Sequence, residues 1–291
     1  MLISLVTNGQ PANVDHPEPI VPWWSFTKTV LAATALTLVR DGLVELDQPL
    51  HDQPFTLRQL LRHEAGLADY GSLAEYHAAV RNHEAAWSAD DMLERLDASR
   101  LRYPPGNGWG YSNVGYLFVA RLIERVTGLT LQDAVSSRVL VPLGVSGARF
   151  ATRREDLLGK VHGVADHYDP GWVYHGLLVG PLAQAALLLD RLLAGELLPT
   201  ALLKDMQTVR TLGGPIANRP WVTPGYGLGV MQGPIANGLI FCGHTGGGPG
   251  SVIAVYRCND NAASACCAVF ANGADEGAVE AEVVRQLMGA V

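Results

Sequence analysis

An α+β fold is predicted, with one antiparallel sheet built from both ends of the chain and a mainly helical lobe inserted between them. Three observations predict it. Strand-like alternation stands at the N-terminus, apolar spacing of three and four runs through the middle, and from Tyr226 short apolar runs return between glycine-rich turns. At 291 residues, 48% of them hydrophobic and 17% charged, the chain can bury a large core and is neither disordered nor fibrous. The pattern assigns residues 1–54 and 212–291 to the sheet lobe and 55–211 to the helical lobe. A cleft between two such lobes is a natural place for an active site.

The elements follow in order. Residues 2–8 read as a strand, and 10–14 as strand and turn after Asn8-Gly9. Pro11, Pro17, Pro19 and Pro22 then carry an extended approach to Ser25. A helix is predicted over 26–41: the stretch from Thr29 to Val39 holds no charge until Arg40, and Asp41-Gly42 stops it. Residues 43–54 connect to Thr56, an N-cap for a helix over 57–62. Helices over 74–82, 88–95, 114–126 and 131–139 follow, the second capped by Ser88 or Asp90. Residues 151–176 mix His and Asp with Gly and aromatics and read as an irregular excursion. Helix returns over 181–193 and 200–209. Strands over 226–231, 238–244, 251–258 and 265–271, joined by Gly-Pro, Gly-Gly-Gly-Pro-Gly and Asn-Asp-Asn turns, make an antiparallel meander, and a helix over 279–288 closes the chain.

Composition removes several function classes. A net charge of −7 without any basic run gives no electrostatic basis for binding nucleic acid. No run of about 20 apolar residues spans a membrane. Residues 1–7 lack the positive start of a secretion signal, so a cytoplasmic location is expected. Cys242, Cys258, Cys266 and Cys267 lack the C-x-x-C spacing of a metal or redox site and are expected as buried free thiols. No metal or cofactor is called for.

Three short stretches carry chemistry. Ser25-Phe26-Thr27-Lys28 puts a hydroxyl and an amine three residues apart at the head of a helix, where both share a face. First-turn N–H groups and the helix dipole stabilise an oxyanion there. A lysine in so apolar a setting has a lowered pKa and can take the serine proton. Ser25 as a plain N-cap is the competing reading. Tyr111-Ser112-Asn113 lies between a Pro-Pro-Gly-Asn-Gly turn and a helix. The phenol becomes a base if a nearby cation lowers its pKa, and the amide can hold a substrate carbonyl or the lysine. A buried Tyr beside an Asn helix cap accounts for the same residues. His244-Thr245-Gly246-Gly247 ends a predicted strand before a glycine-rich turn. Its glycines allow close approach and an N–H for an oxyanion, or simply meet a hairpin's need for positive φ.

Taken together, Ser-x-x-Lys, Tyr-Ser-Asn and His-Thr-Gly in this order resemble the serine hydrolase family of class C β-lactamases, D-alanyl-D-alanine carboxypeptidases and related esterases. The stretch Phe55 to Leu67, Pro104-Pro105-Gly106, Gly115-Tyr116, Pro142-Leu143-Gly144 and Tyr226-Gly227-Leu228-Gly229 extend the likeness. It implies a β-lactamase/transpeptidase-like fold. It also implies Ser25 as acylated nucleophile, Lys28 and Tyr111 sharing base and acid duties, Asn113 positioning substrate, and His244, Thr245, Gly246 and Gly247 forming the opposite wall. Backbone N–H groups of Ser25 and Gly247 would make the oxyanion hole. The chain departs from the pattern in the 24 residues ahead of Ser25, in a short middle lobe, and in a His that opens the third motif. Largely neutral at pH 7, that His grips a carboxylate less firmly than a lysine does. Trp23, Trp24, Trp109 and Trp221 crowd or line the pocket, at least two of them as packing. The expected activity is acyl-enzyme hydrolysis of small esters, with D-peptides and β-lactams ranked next. The partner is a small ester, amide or peptide substrate, and a catalytically silent binding protein is the competing class.

Overall fold

The computed structural model of the chain describes residues 1–11, 18–236, 238–260 and 263–290. The expected turn at 12–14, Pro17 and Asn261 lie outside them. The chain opens on a hairpin, β1 (Leu2–Thr7) and β2 (Gln10–Pro11), whose Asn8-Gly9 turn has φ of 50° and 77°, the paired positive values that match strand twist. A short strand, β3 (Ile20–Pro22), and one 3-10 turn (Trp24–Phe26) lead into α1 (Thr27–Arg40). α2 (Leu57–Leu61) starts at a capping box in which Thr56 and Gln59 satisfy each other's backbone N–H groups. Then come α3 (Ala74–Arg81), α4 (Ala89–Arg95), α5 (Asn113–Thr127) and α6 (Leu131–Val135). After β4 (Arg149–Ala151) and α7 (Arg154–Leu157), β5 (Leu177–Pro181) runs into α8 (Leu182–Leu193) and α9 (Thr200–Gln207). The remaining strands are β6 (Arg210–Thr211), β7 (Gly225–Tyr226), β8 (Met231–Pro234), β9 (Ile240–Gly248), β10 (Ser251–Asp260) and β11 (Ala263–Asn272), and α10 (Glu276–Met288) closes the fold.

Among the described residues, eight strands form one sheet in the order β2-β1-β11-β10-β9-β8-β7-β6, antiparallel throughout, so both ends of the chain meet at β1 and β11 as expected. Both faces are covered. Ile253, Val255, Cys266 and Phe270 point into the larger core on the side of α8, while Val252, Ala254, Tyr256, Cys267 and Val269 point to α10. Burial on both faces is why residues 252–256 of β10 and 265–271 of β11 are apolar at every step rather than at every second one. Neighbouring Cys266 and Cys267 thereby sit on opposite faces, and all four cysteines are buried and outside any disulfide. α1 is buried from Thr27 through Leu38, so it is a core helix with no solvent stripe.

The structure corrects several expectations. Residues 182–193 pack on the sheet against β1, β10 and β11 rather than in the lobe expected over 55–211. A second sheet, β3-β5-β4, was not anticipated, because strands of three to five residues are too short to show a period. The segment 226–231 is two strands, β7 and β8, separated by a tight turn in which Gly227 N–H donates to Val230 O. The helix expected to reach 139 gives way after Val135 to a π-helical turn over Ser136–Leu140. β9 continues through Gly248, so His244 to Gly247 lie inside a strand; the hairpin bend comes at Pro249-Gly250, where Gly250 takes φ 105°.

Ile253 is fully buried between the sheet and α8. Ile253→Ala is expected to cost about 2–5 kcal/mol, read as a lower urea midpoint at unchanged m. Leu129→Ser, at an exposed position, stays within about 0.5 kcal/mol. Equal effects at the two positions contradict this core assignment.

Candidate active site

The site is assembled from α1, the loop before α5, β9 and the segment entering β5. Trp24 adopts φ 41°, a state a bulky residue takes only when its surroundings hold it. Its indole lies over Gly248, where a Cβ would come within 2.5 Å of the ring, and its N–H donates to Ser251 Oγ at 3.0 Å. Ser25 follows in the 3-10 turn, and Lys28 stands one turn on in α1.

Ser25 Oγ is bracketed. Lys28 Nζ lies 3.1 Å from it and Tyr111 OH donates to it at 2.9 Å. The Lys28 amine is fully buried, with the ring faces of Tyr111 and Tyr116 at 5.1 and 5.7 Å, and its second polar neighbour is His175 Nε2 at 3.2 Å. Burial pulls the amine down to about 7, partly opposed by the Asp69 carboxylate. Tyr111 moves the other way: burial raises its phenol, with the Ser25 contact only partly offsetting. The expectation of a phenol lowered by a nearby cation is therefore corrected. Desolvation is the largest influence on the phenol, and it favours the protonated form.

Tyr111 is seated on the His63 ring, centroids 4.4 Å apart. His63 has φ 60°, accepts the Ser112 N–H on Nδ1 at 3.2 Å, and is held neutral, foremost by burial. Ser112, not Asn113, caps α5: its Oγ accepts from Gly115 N–H. Asn113 gives both its backbone N–H and its Nδ2 to Asp69 Oδ1, at 2.8 and 3.0 Å. That fixes the amide orientation and leaves Oδ1 as its free acceptor.

Along β9 the side chains alternate, and this separates the four residues of the third motif. His244 Nδ1 lies 2.6 Å from Thr245 O and its Nε2 lies 2.8 Å from Tyr226 OH. Nδ1–H therefore donates and Nε2 accepts, giving a neutral ring that burial depresses to about 3. Thr245 faces the other side, bonded to Tyr256 OH and Glu280. The expectation that both side chains form a substrate wall is corrected: their polar atoms are engaged inside the protein. Gly246 faces Ser25: a Cβ there would lie 2.4 Å from Ser25 N, while Gly247 borders the cavity. Neither glycine has positive φ; closeness, not turn geometry, is what requires glycine at 246, whereas a Cβ on Gly247 would meet its nearest neighbour, Val252, only at 3.6 Å.

A cavity of about 300 Å³ lies over Ser25, walled by Trp24, Tyr70, Tyr76, Tyr168, Asn113 and the Gly247-Gly248 edge. Trp23 and Trp221 are buried packing residues, as expected of at least two tryptophans, and Trp109 packs on His63 and Tyr226. Sequence reasoning missed His175, Asp69 and His63. Asp69 and His175 are isolated residues in segments without a period, and only long-range folding brings them to the site.

The Beta-lactamase family model matches residues 5–287. The chain belongs to the Beta-lactamase family. Within it, a penicillin-binding protein from Bacillus subtilis (strain 168) is 31% identical over 159 residues, 52% of this chain and 34% of that protein. Lovastatin esterase from Penicillium rubens is 30% identical over 167 residues, 47% of this chain and 41% of its own length. The chain thus spans well under half the length of these relatives. Among solved structures, D-amino acid amidase from Ochrobactrum anthropi SV3 complexed with D-phenylalanine superposes with a TM-score of 0.81 at 22% identity, covering 99% of this chain and 97% of that one. D-stereospecific amidohydrolase from Streptomyces sp. gives 0.79 at 23%, covering 96% and 92%. These likenesses show the β-lactamase/transpeptidase-like fold. Among the described residues no helix is long and apolar enough to cross a membrane.

The buried amine makes stability depend on pH. Lys28 titrates near 10.5 when unfolded and near 7 when folded, so between these values the unfolded chain holds the extra proton. Stability rises with pH across that window, and the penalty is full below about 7. Lys28→Met is expected to raise Tm, and by more at pH 6 than at pH 9. A larger gain at pH 9 contradicts an amine held near 7.

Proposed function

We propose that the protein is a serine hydrolase that works through an acyl-enzyme on ester and amide carbonyls, with small esters as its first substrates. The observation that carries this reading is Ser25 Oγ held between the Lys28 amine and the Tyr111 phenol, with the amine pulled down to about 7 by burial. In the proposed cycle neutral Lys28 takes the Ser25 proton as Oγ attacks the carbonyl carbon. The oxyanion is met by the backbone N–H groups of Ser25 and Gly247. As the tetrahedral adduct collapses, the proton passes from Lys28 through the Tyr111 hydroxyl to the leaving oxygen or nitrogen. Water then attacks the acyl carbon, giving a proton to Lys28, which passes it to Ser25 Oγ as the acid leaves. Asn113 orients the acyl group through Oδ1, while His244 and Thr245 hold β9 in place.

The cavity supports the ester ranking. Aromatic rings dominate its wall, and among the described residues no Lys or Arg borders it. With His244 neutral and turned to Tyr226, a β-lactam or peptide carboxylate finds no cation at that position of β9. A second reading, hydrolysis of amino-acid amides or D-peptides, is favoured by Asp69 behind Asn113, an acceptor pair suited to an N–H-rich acyl group. The division into a sheet lobe (1–54 and 212–291) and a helical lobe (55–211) is proposed with α8 transferred to the former. Buried thiols outside any disulfide support a cytoplasmic location.

Ser25→Ala is expected to lower kcat/KM for an aryl ester by at least about a thousandfold and to abolish the intact-mass adduct of a fluorophosphonate. Equal turnover in both forms would falsify the hydrolase reading and favour a silent binding protein. In the native enzyme kcat/KM should fall as pH drops below about 7, with a slope of one proton, because the base must be neutral. The aryl ester should be turned over faster than nitrocefin or a D-Ala dipeptide.

A further inference from the structure

His175 sits at the entry to β5, 147 residues from Lys28 in sequence, yet its Nε2 lies 3.2 Å from the amine. An amine nitrogen brings N–H groups to this contact; with Nε2 accepting one of them, the imidazole would carry its own proton on Nδ1. Nδ1 is buried and without a hydrogen-bond partner among the described residues, which leaves the ring no competing anchor. The ring packs edge-on to Tyr116, centroids 6.3 Å apart. Burial and the nearby Lys28, His63 and His244 hold it uncharged.

A neutral amine has two N–H groups and one lone pair, and it spins freely unless something takes an N–H. Its other near neighbours are the Ser25 hydroxyl, the faces of Tyr111 and Tyr116, the rings of His63 and His244, and the more distant Asp69 carboxylate. Ser25 is the group the lone pair must reach. We propose that His175 is a positioning residue: by accepting one Lys28 N–H it stops that rotation and aims the amine lone pair at the Ser25 hydroxyl. It rests on the reading of Lys28 as the base. When Lys28 takes the proton, the same contact steadies the ammonium.

The sign of its removal is determined. A hydrogen bond to the charged form favours that form, so loss of the acceptor makes Lys28 harder to protonate and a weaker base. The experiment compares His175→Leu with His175→Gln, whose side-chain oxygen can take the place of Nε2. Profiles of kcat and KM for 4-nitrophenyl butyrate are recorded from pH 5 to 9. His175→Leu is expected to lower the kcat plateau about tenfold or more, move the acid limb to lower pH, and leave KM nearly unchanged. His175→Gln should restore most of both. A His175→Leu enzyme with the native limb and plateau, or a Gln variant as impaired as Leu, overturns the proposal.

Imidazole nitrogen NMR at pH 7.5 supplies a readout independent of turnover, and the tautomer is read on the native protein. The Nδ1–H tautomer is expected for His175, with an Nε2 resonance that shifts in Lys28→Met. An Nε2–H tautomer, or no shift, overturns the proposal. Failure of the hydrolase reading appears separately, as unchanged turnover in Ser25→Ala.

Discussion

An amine sealed from water, with no carboxylate against it, is the constraint on which the rest of the structure depends. Burying an ammonium costs several kcal/mol even after relaxation, and Lys28 is fully buried at the head of a core helix. The fold tolerates it because the charge can be shed near neutral pH. Every group around the amine is compatible with that choice. Three imidazoles, His63, His175 and His244, are all held uncharged, each with burial as the first cause and the Lys28 charge as the second. Among these four groups there is therefore one positive charge at most, and that charge belongs to the lysine.

Keeping an amine and a phenol each within about 3 Å of one hydroxyl requires stiff supports on three sides. α1 is one, buried throughout its first three turns. The ring of His63 under Tyr111 is the second. The third is β9, pressed so closely against Ser25 that Gly246 leaves no room for a side chain. Behind β9, Thr245 is tied through Glu280 to Arg219 and Trp221, so the strand is backed by a buried polar network anchored on α10. Across the sheet, Arg257 on β10 pairs with Asp190 on α8 at 2.8 Å, both nearly buried. A pair of this kind punishes the loss of either partner more than it rewards its presence, so it fixes how α8 lies on the sheet.

The family and the site answer different questions. Membership in the Beta-lactamase family is carried by a match over nearly the whole chain, and the fold by superposition on amidases of similar size. What distinguishes this chain's own cavity is its wall: aromatic rings, an amide committed to Asp69, and no Lys or Arg among the described residues. Substrate preference is argued from that wall and not from the names of relatives.

Much was legible in the sequence alone, for a common reason. Ser25 and Lys28 share a face because a helix returns every three to four residues. The meander after residue 225 and the helices of the middle announce themselves by period, and the Asn8-Gly9 turn by the φ values it needs. In each case the signal lies between near neighbours. The tertiary structure alone decided which side of β9 each motif residue faces, that Tyr111 stays protonated, and that His175 stands beside the amine. Those outcomes depend on desolvation and on contacts between segments as much as 147 residues apart, and no local spacing encodes either.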